Sequence, residues 1–464
     1  MAEKKDLKGR ETVTERQKGI TRREVLKMAG AAGAAALTYS LVPAPFVHAK
    51  KNITLRMINQ EPDPGTVKFF EEAFAEYEGK TGVKVLMDTV PGGEMFPKMA
   101  ASMKGGNPYH IGNELFIGNI AIMAQEGWIV PLTNLIKEIG MDDFGPNILY
   151  PMNGEVWWYP YDYNFAHWFY RTDIFKDKGL KEPKTWDEFT ECSKACTYDK
   201  NKDGITDMFG MALGIGNGLW VDWTDTAFMW AERIKFFDDK WNVILESPQM
   251  KPKMIAFLNF FKTIYEYMPP GMTQIGWGDY TKLFVSERIA MTTYSGRLVH
   301  HVEKFAPQLS DKLGLFAYPS STGKDFAINM GYDGWVVTKT DLTEEATKLL
   351  KWLVTEKLID FYATLPIHYQ PTRMSIYDDP KWKSLPMVKK YWNIVEVQKS
   401  FLTRKDIIID AVDLQGPKVD PRAGKIPRNF VMPEMFQNLV LKKLPPEECL
   451  HIAAAKIAEI AKEG

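Results

Sequence analysis

The chain has 464 residues, with 58 Lys and Arg against 59 Asp and Glu, a formal net charge of −1, and 45% hydrophobic residues. With no basic excess there is nothing to hold a polyphosphate backbone, so nucleic-acid binding is excluded as the chain's main task. The length is sufficient for two lobes.

In chain order, residues 1–49 read as an export signal. Thr21-Arg22-Arg23-Glu24-Val25-Leu26-Lys27 resembles the twin-arginine motif of the pathway that exports folded proteins. Met28 to Leu41 is an Ala/Gly-rich apolar stretch, and Val42 to Ala49 supplies a small-residue exit with cleavage expected after Ala49. An amphipathic helix capped by Thr21 is the alternative; it leaves the order of basic start, apolar middle and cleavage site without a reason. Removing this segment takes away nine Lys/Arg and five Asp/Glu and leaves 49 basic against 54 acidic residues, a net charge of −5. No Cys follows the apolar stretch, so no lipid anchor is indicated. No later stretch is apolar for long enough to span a bilayer. The expected location is the periplasm.

Asn52 to Asn59 alternates Ile53, Leu55 and Met57 as a first strand. Thr66 to Lys80 has helical spacing, Val83 to Met87 is a second strand, and Phe96–Lys104 and Ile117–Glu126 are helices, the latter stopped by Gly127. This alternation predicts an α/β lobe. Trp186 to Tyr198 is a helix with Thr185 and Glu188 placed for a capping box. Lys253–Tyr267, Glu344–Thr364 (one helix or two) and Glu447–Lys462 follow. Cys192, Cys196 and Cys449 show neither Cys-x-x-Cys nor Cys/His spacing, and read as small buried apolar side chains. No Pro/Gly/Ser linker divides the chain, which suits a fold whose backbone crosses between lobes several times.

Gly154 to Phe189 is dense in aromatics: Trp157, Trp158, Tyr159, Tyr161, Tyr163, Trp168 and Tyr170 surround Asp162, Asn164 and His167. Flat rings beside short hydrogen-bonding groups suit a hydroxyl-rich, uncharged ligand such as a sugar. The run continues through Tyr170-Arg171-Thr172-Asp173-Ile174-Phe175, Gly179-Leu180 and Pro183-Lys184-Thr185-Trp186-Asp187-Glu188-Phe189. Gly127 to Leu132, Phe284 to Gly296, Gly331 to Lys339 and Leu365 to Arg373 add further matching stretches. In this order and spacing the chain resembles the extracellular solute-binding proteins of ATP-driven importers, in the sugar-binding branch that includes maltose-binding proteins. The resemblance implies a type II-like, two-lobed α/β periplasmic binding protein fold with an interlobe cleft and several hinge crossings. These fall near Pro160–Asn164, Asn329–Asp333 and Pro366–Tyr369. They divide the chain into a signal at 1–49, a first lobe of 50–162 and 331–366, and a second lobe of 163–330 and 367–464.

Candidate ligand contacts lie near these crossings and at loop tips. Asp162 and Asn164 alternate with Tyr161 and Tyr163, so one pair faces the cleft and the other the core. By resemblance Asp162 and Asn164 face the cleft, with Tyr161 as a covering ring; ordinary strand packing is the other reading. Gly216 to Trp223 offers Trp220 and Trp223, with Trp220 favoured because Trp223 also fits the start of a buried helix. Trp277 sits between two glycines. Tyr294 and Arg297 occupy a place where the family often has an aromatic contact. Arg297 stands where Trp is common and points to a ligand with an anionic group. Asp333 and Trp335 lie at the crossing near Asn329–Asp333, in Gly331-Tyr332-Asp333-Gly334-Trp335, Trp335 with a core reading beside it. Asp63 either contacts ligand or caps the helix that follows.

Asp199, Asn201, Asp203, Ile205 and Asp207 occupy calcium-loop positions 1, 3, 5, 7 and 9, with Gly204 at 6. The closing Glu at position 12 is absent, and an Asx-rich turn with no ion is the equal alternative. No other cofactor is indicated. The leading functional expectation is a monomeric, non-enzymatic substrate-binding subunit that captures a small ligand, chiefly a carbohydrate, and docks on an inner-membrane permease. An exported carbohydrate-active enzyme, or a binder of a sugar acid, polyamine or metal ion, are the alternatives.

Overall fold

A computed structural model describes residues 53–462, so the export signal and its cleavage point lie outside the described residues. The strands are β1 (Thr54–Asn59), β2 (Lys84–Thr89), β3 (Ile111–Glu114), β4 (Tyr159–Pro160), β5 (Asn164–Arg171), β6 (Phe209–Ala212), β7 (Ile289–Tyr294), β8 (Leu313–Phe316), β9 (Tyr318–Pro319), β10 (Phe326–Gly331), β11 (Gly334–Val337) and β12 (Ile407–Asp410). They form two sheets. The first runs β2-β1-β3-β11-β4; the second runs β12-β10-β5-β7-β6, with β8 on β5 and β9 on β10.

In the first sheet β1 pairs in parallel with β2 and β3, and β11 returns antiparallel between β3 and β4. Parallel neighbours need a covering crossover, and the helices Pro64–Thr81 and Met95–Lys104 supply it. Pro64–Thr81 buries Phe70, Ala73, Phe74 and Tyr77, the face that i, i+3, i+4, i+7 spacing creates, and ends at Gly82 in the left-handed region (φ 76°).

The second sheet is built around β5. It pairs antiparallel with β10 at Asn164–Ala166, with β7 at His167–Tyr170 and with β8 at Trp168–Arg171. A strand covered on both faces needs large apolar side chains in an unbroken run. Trp168 on β5 meets that need, and Trp158, Tyr159, Tyr161 and Tyr163, on β4 and the chain beside it, are likewise fully buried. The expectation that these rings offer flat faces to a ligand is therefore corrected; they fill the two cores.

The backbone passes from the first sheet to the second between Pro160 and Asn164, and back between Gly331 and Gly334. The Tyr161 N–H donates to the Asp333 carbonyl at 3.0 Å, and the Tyr163 N–H donates to the Gln370 carbonyl at 2.9 Å. Three segments, 161–163, 332–333 and 370–372, thus lie side by side where the sheets meet.

Thr185 caps the helix Trp186–Ala195 by accepting from the Glu188 N–H, while Glu188 reaches back to the Lys184 N–H at 2.6 Å, one residue before the position a capping box uses. The stretch after Thr343 is two helices, Thr343–Trp352 and Leu358–Tyr362, joined by a wider π turn at Leu353–Lys357. Cys192, Cys196 and Cys449 are buried free thiols. Burial pushes Cys192 up to about 12 and Cys196 to about 11, which leaves both unreactive. Among the described residues no helix is long and apolar enough to cross a membrane.

Candidate functional site

A cavity of about 780 Å³ opens between the segment that follows β1 and the helix that follows β7. That volume suits a ligand of drug or disaccharide size. Of the expected contacts, Asp63, Asn164, Trp223, Trp277, Tyr294, Arg297 and Asp333 line it. Tyr161, Asp162, Trp220 and Trp335 do not.

The aromatic wall comes from the second-sheet side. Trp223 meets Trp277 at 5.5 Å between ring centroids and Tyr294 edge-on at 5.8 Å. Trp220 stands behind them, edge-on to Trp277 at 6.1 Å. The preference for Trp220 over Trp223 is thus reversed: the helix Leu219–Thr224 turns Trp223 to the cavity and Trp220 to its support. Tyr161 and Trp335 pack ring to ring at 4.7 Å in the first-sheet core, because β11 is an inner strand with both faces covered. The indole N–H of Trp223 is buried without a partner.

The polar wall is charged. Arg297 opens the helix Arg297–Phe305. Its Nη2 donates to Glu61 Oε2 at 2.5 Å and lies 2.7 Å from His368 Nε2, and its Nη1 donates to Asp63 Oδ2. Asp63 occupies the N-cap position of the helix Pro64–Thr81, yet its side chain makes no cap hydrogen bond and turns to Arg297. Burial works against the Arg297 charge, but the Glu61 carboxylate raises its pKa above the ordinary guanidinium value. His368 is driven well below the usual imidazole range, first by burial and then by Arg297, so it is neutral. With Nε2 accepting from Arg297, its proton sits on Nδ1, which has no partner.

Asn164 Nδ2 donates to Asp333 Oδ2 at 3.0 Å, leaving Asn164 Oδ1 and Asp333 Oδ1 buried and unpaired. Asp162 lies behind this wall with both carboxylate oxygens unpaired. Burial, and then the neighbouring Asp333 charge, push Asp162 well above the usual carboxylate range; burial and then Glu61 do the same for Asp333. Both shifts favour the protonated carboxyl over the carboxylate.

Glu61 and His368 also line the cavity, and the sequence reading did not single them out. Glu61 stands two before Asp63 in Glu-Pro-Asp-Pro-Gly, and His368 lies inside the third expected crossing; an acidic residue at the mouth of β1 was the available signal. Glu61, Asp333 and His368 bring ligating atoms within 4.8 Å of one another, the one such group among the described residues. In the Asp199–Asp207 loop, Asp199 accepts from the Lys202 and Gly204 N–H groups at 2.7 Å each, Asp203 accepts from the Ile205 N–H at 2.8 Å, and Asp207 accepts from the Lys200 N–H at 2.8 Å. Its carboxylates are engaged with the loop's own backbone, in Asx-turn fashion.

The fold is that of two-lobed solute-binding proteins. A solute-binding protein of an ABC transporter from Thermotoga lettingae, solved with α-D-tagatose, superposes with a TM-score of 0.71 at 19% identity, covering 88% of this chain and 99% of that one. One from Agrobacterium radiobacter, solved with ribitol, gives 0.69 at 20% identity over 88% and 98%. In sequence, a mannitol-binding protein of Pseudomonas aeruginosa is 26% identical over 176 residues, which span 37% of this chain and 38% of that relative's length. The pattern that defines the bacterial extracellular solute-binding proteins runs through residues 61–358, and the chain belongs to that family.

Proposed function

We propose that the protein is the periplasmic binding subunit of an ATP-driven importer and that it captures a small sugar or polyol between its two lobes and delivers it unaltered to a membrane permease. The observation that carries this reading is a single cavity walled on one side by Trp223, Trp277 and Tyr294 and on the other by unpaired polar atoms of Asn164 and Asp333. Rings cover the C–H faces of such a ligand, and hydroxyls meet the polar atoms. The relatives' mannitol, ribitol and tagatose are of that chemical class. On this reading the lobes are 50–162 with 331–366 and 163–330 with 367–464, the signal is a twin-arginine one cleaved after Ala49, the chain acts as a monomer, and no catalysis occurs.

A thermal-shift screen over sugars, polyols, sugar acids and amino acids tests it. A ligand at a hundred times its Kd is expected to add about 2.7 kcal/mol of stability. A flat response to every sugar and polyol with a clear shift from another class overturns the carbohydrate reading, and turnover of an oligosaccharide overturns the non-enzymatic one. The Asp199–Asp207 loop takes a structural calcium ion by exchanging its Asx turns for coordination. Chelator treatment is expected to lower the melting temperature; an unchanged melt assigns the loop as a turn without an ion.

A further inference from the structure

Arg297, standing where the family often has an aromatic, left open a ligand with an anionic group. Its surroundings point elsewhere. Nη1 donates to Asp63, and Nη2 is engaged by Glu61 and His368. Glu61 and Asp63 follow β1 of the first sheet, whereas Arg297 begins the helix after β7 of the second. The ion cluster therefore spans the cavity from one sheet-bearing half to the other. It also engages two of the three residues, Glu61, Asp333 and His368, whose ligating atoms converge, since both Glu61 and His368 contact the guanidinium.

Building on the carbohydrate reading, we propose that Arg297, Glu61 and Asp63 form an interlobe clasp that serves as the site's internal cation, so that the cavity takes an uncharged hydroxyl-rich ligand and rejects its carboxylate counterpart. A carboxylate on the ligand must compete with two built-in carboxylates for one guanidinium and enters beside Asp333 as a further acidic group. A hydroxyl both donates and accepts. It satisfies the unpaired acceptors Asn164 Oδ1 and Asp333 Oδ1 and also the unpaired Trp223 N–H. A carboxylate, acceptor only, leaves the first two unmet.

The test is calorimetric titration of the purified protein with matched pairs: D-mannitol and D-mannonate, maltose and maltobionate, D-glucose and D-gluconate. For every pair that binds, the neutral member is expected to be at least tenfold tighter. In Glu61→Gln/Asp63→Asn the guanidinium is released and the preference is expected to shrink tenfold or reverse. A carboxylate member that binds more tightly to the wild type overturns the proposal. So does an unchanged preference in a double variant with native circular dichroism; if that variant does not fold, Asp63→Asn, at the more open side, replaces it. If no pair binds, the thermal-shift screen judges the carbohydrate reading, and small-angle scattering of the ligand-free protein judges the clasp alone. Expansion of Arg297→Met relative to wild type supports it, and superimposable profiles overturn it.

Discussion

Glu114, at the end of β3, shows what a single buried carboxyl does to this protein. Its Oε1 accepts from the Leu115 N–H at 2.9 Å and from Asn119 Nδ2 at 3.0 Å, while Oε2 is buried with no partner. Desolvation outweighs these bonds and pushes the carboxyl from 4.5 up to about 7. A carboxyl whose pKa rises on folding binds its proton more tightly in the native state. Its contribution is full below the unfolded value and is lost as pH climbs through the folded one, here between about 4.5 and 7. The loss amounts to roughly 3 kcal/mol. Glu114→Gln keeps an acceptor for Leu115 and Asn119 and cannot ionise. Urea unfolding at several pH values is expected to show wild-type stability falling across that window and a flatter profile in the variant; parallel profiles refute this. The same scale shows where sequence reading stops. Asn164 and Asp333 were legible as short polar groups near crossings, Asp63 as an acidic group between the first strand and its helix, and Arg297 as a departure from the family's aromatic. Glu61 was not, because its partner Arg297 arrives 236 residues later and no local pattern announces it.

Elements were legible where one face is periodic and failed where tertiary closeness decides. The helix Pro64–Thr81 and the last helix, Pro446–Lys462, follow from apolar spacing alone. The two-residue strands β4 and β9 carry no period and cannot be read from sequence. The helix Pro421–Arg428 was also missed, since three of its eight residues are Pro or Gly. One of these, Gly424, has a reason that only packing reveals. The helix crosses Ile117–Gln125 so closely that a Cβ on Gly118 would lie 2.4 Å from Gly424 Cα, and one on Gly424 would lie 2.6 Å from Gly118 Cα. Backbone meets backbone, with no flexible side chain to give way. Alanine at either position gains about 1 kcal/mol of helix propensity, but overpacking costs typically 1–3 kcal/mol and displaces the neighbouring Leu115 and Phe116, which line the cavity. Gly424→Ala is therefore expected to lower the urea midpoint and to weaken ligand binding together; a variant with unchanged midpoint and affinity contradicts the close-crossing argument.

At the scale of the whole molecule, the alternation of strands and helices pointed to an α/β lobe, while the division into two was what the family resemblance implied; the two sheets agree with both. The aromatic run misled because a doubly covered strand and a sugar-stacking surface call for the same residues. Burial decides between them, and burial is a property of the complete fold. The meeting of the two sheets depends on one feature that neither sheet contains. Asp162 lies on the first crossing and Asp333 on the second, and the Tyr161 N–H to Asp333 carbonyl bond holds those crossings together. Burial, reinforced by the neighbouring acidic group, raises both carboxyls well above the usual range, which disfavours two like charges side by side at the crossings. The sign matches Glu114: the contribution is present below the unfolded carboxyl value near 4 and is lost as pH rises through the folded values. Asp162→Asn removes one ionisable group and supplies an N–H donor to Asp333. Because an unpaired buried polar group costs about 1–3 kcal/mol, the variant is expected to be more stable than wild type at pH 8 by that order, with the advantage shrinking at pH 5. Denaturation at both pH values measures it. An advantage that does not grow with pH, or a variant less stable at both, would show that the raised carboxyl values at the crossings do not govern the stability of the fold.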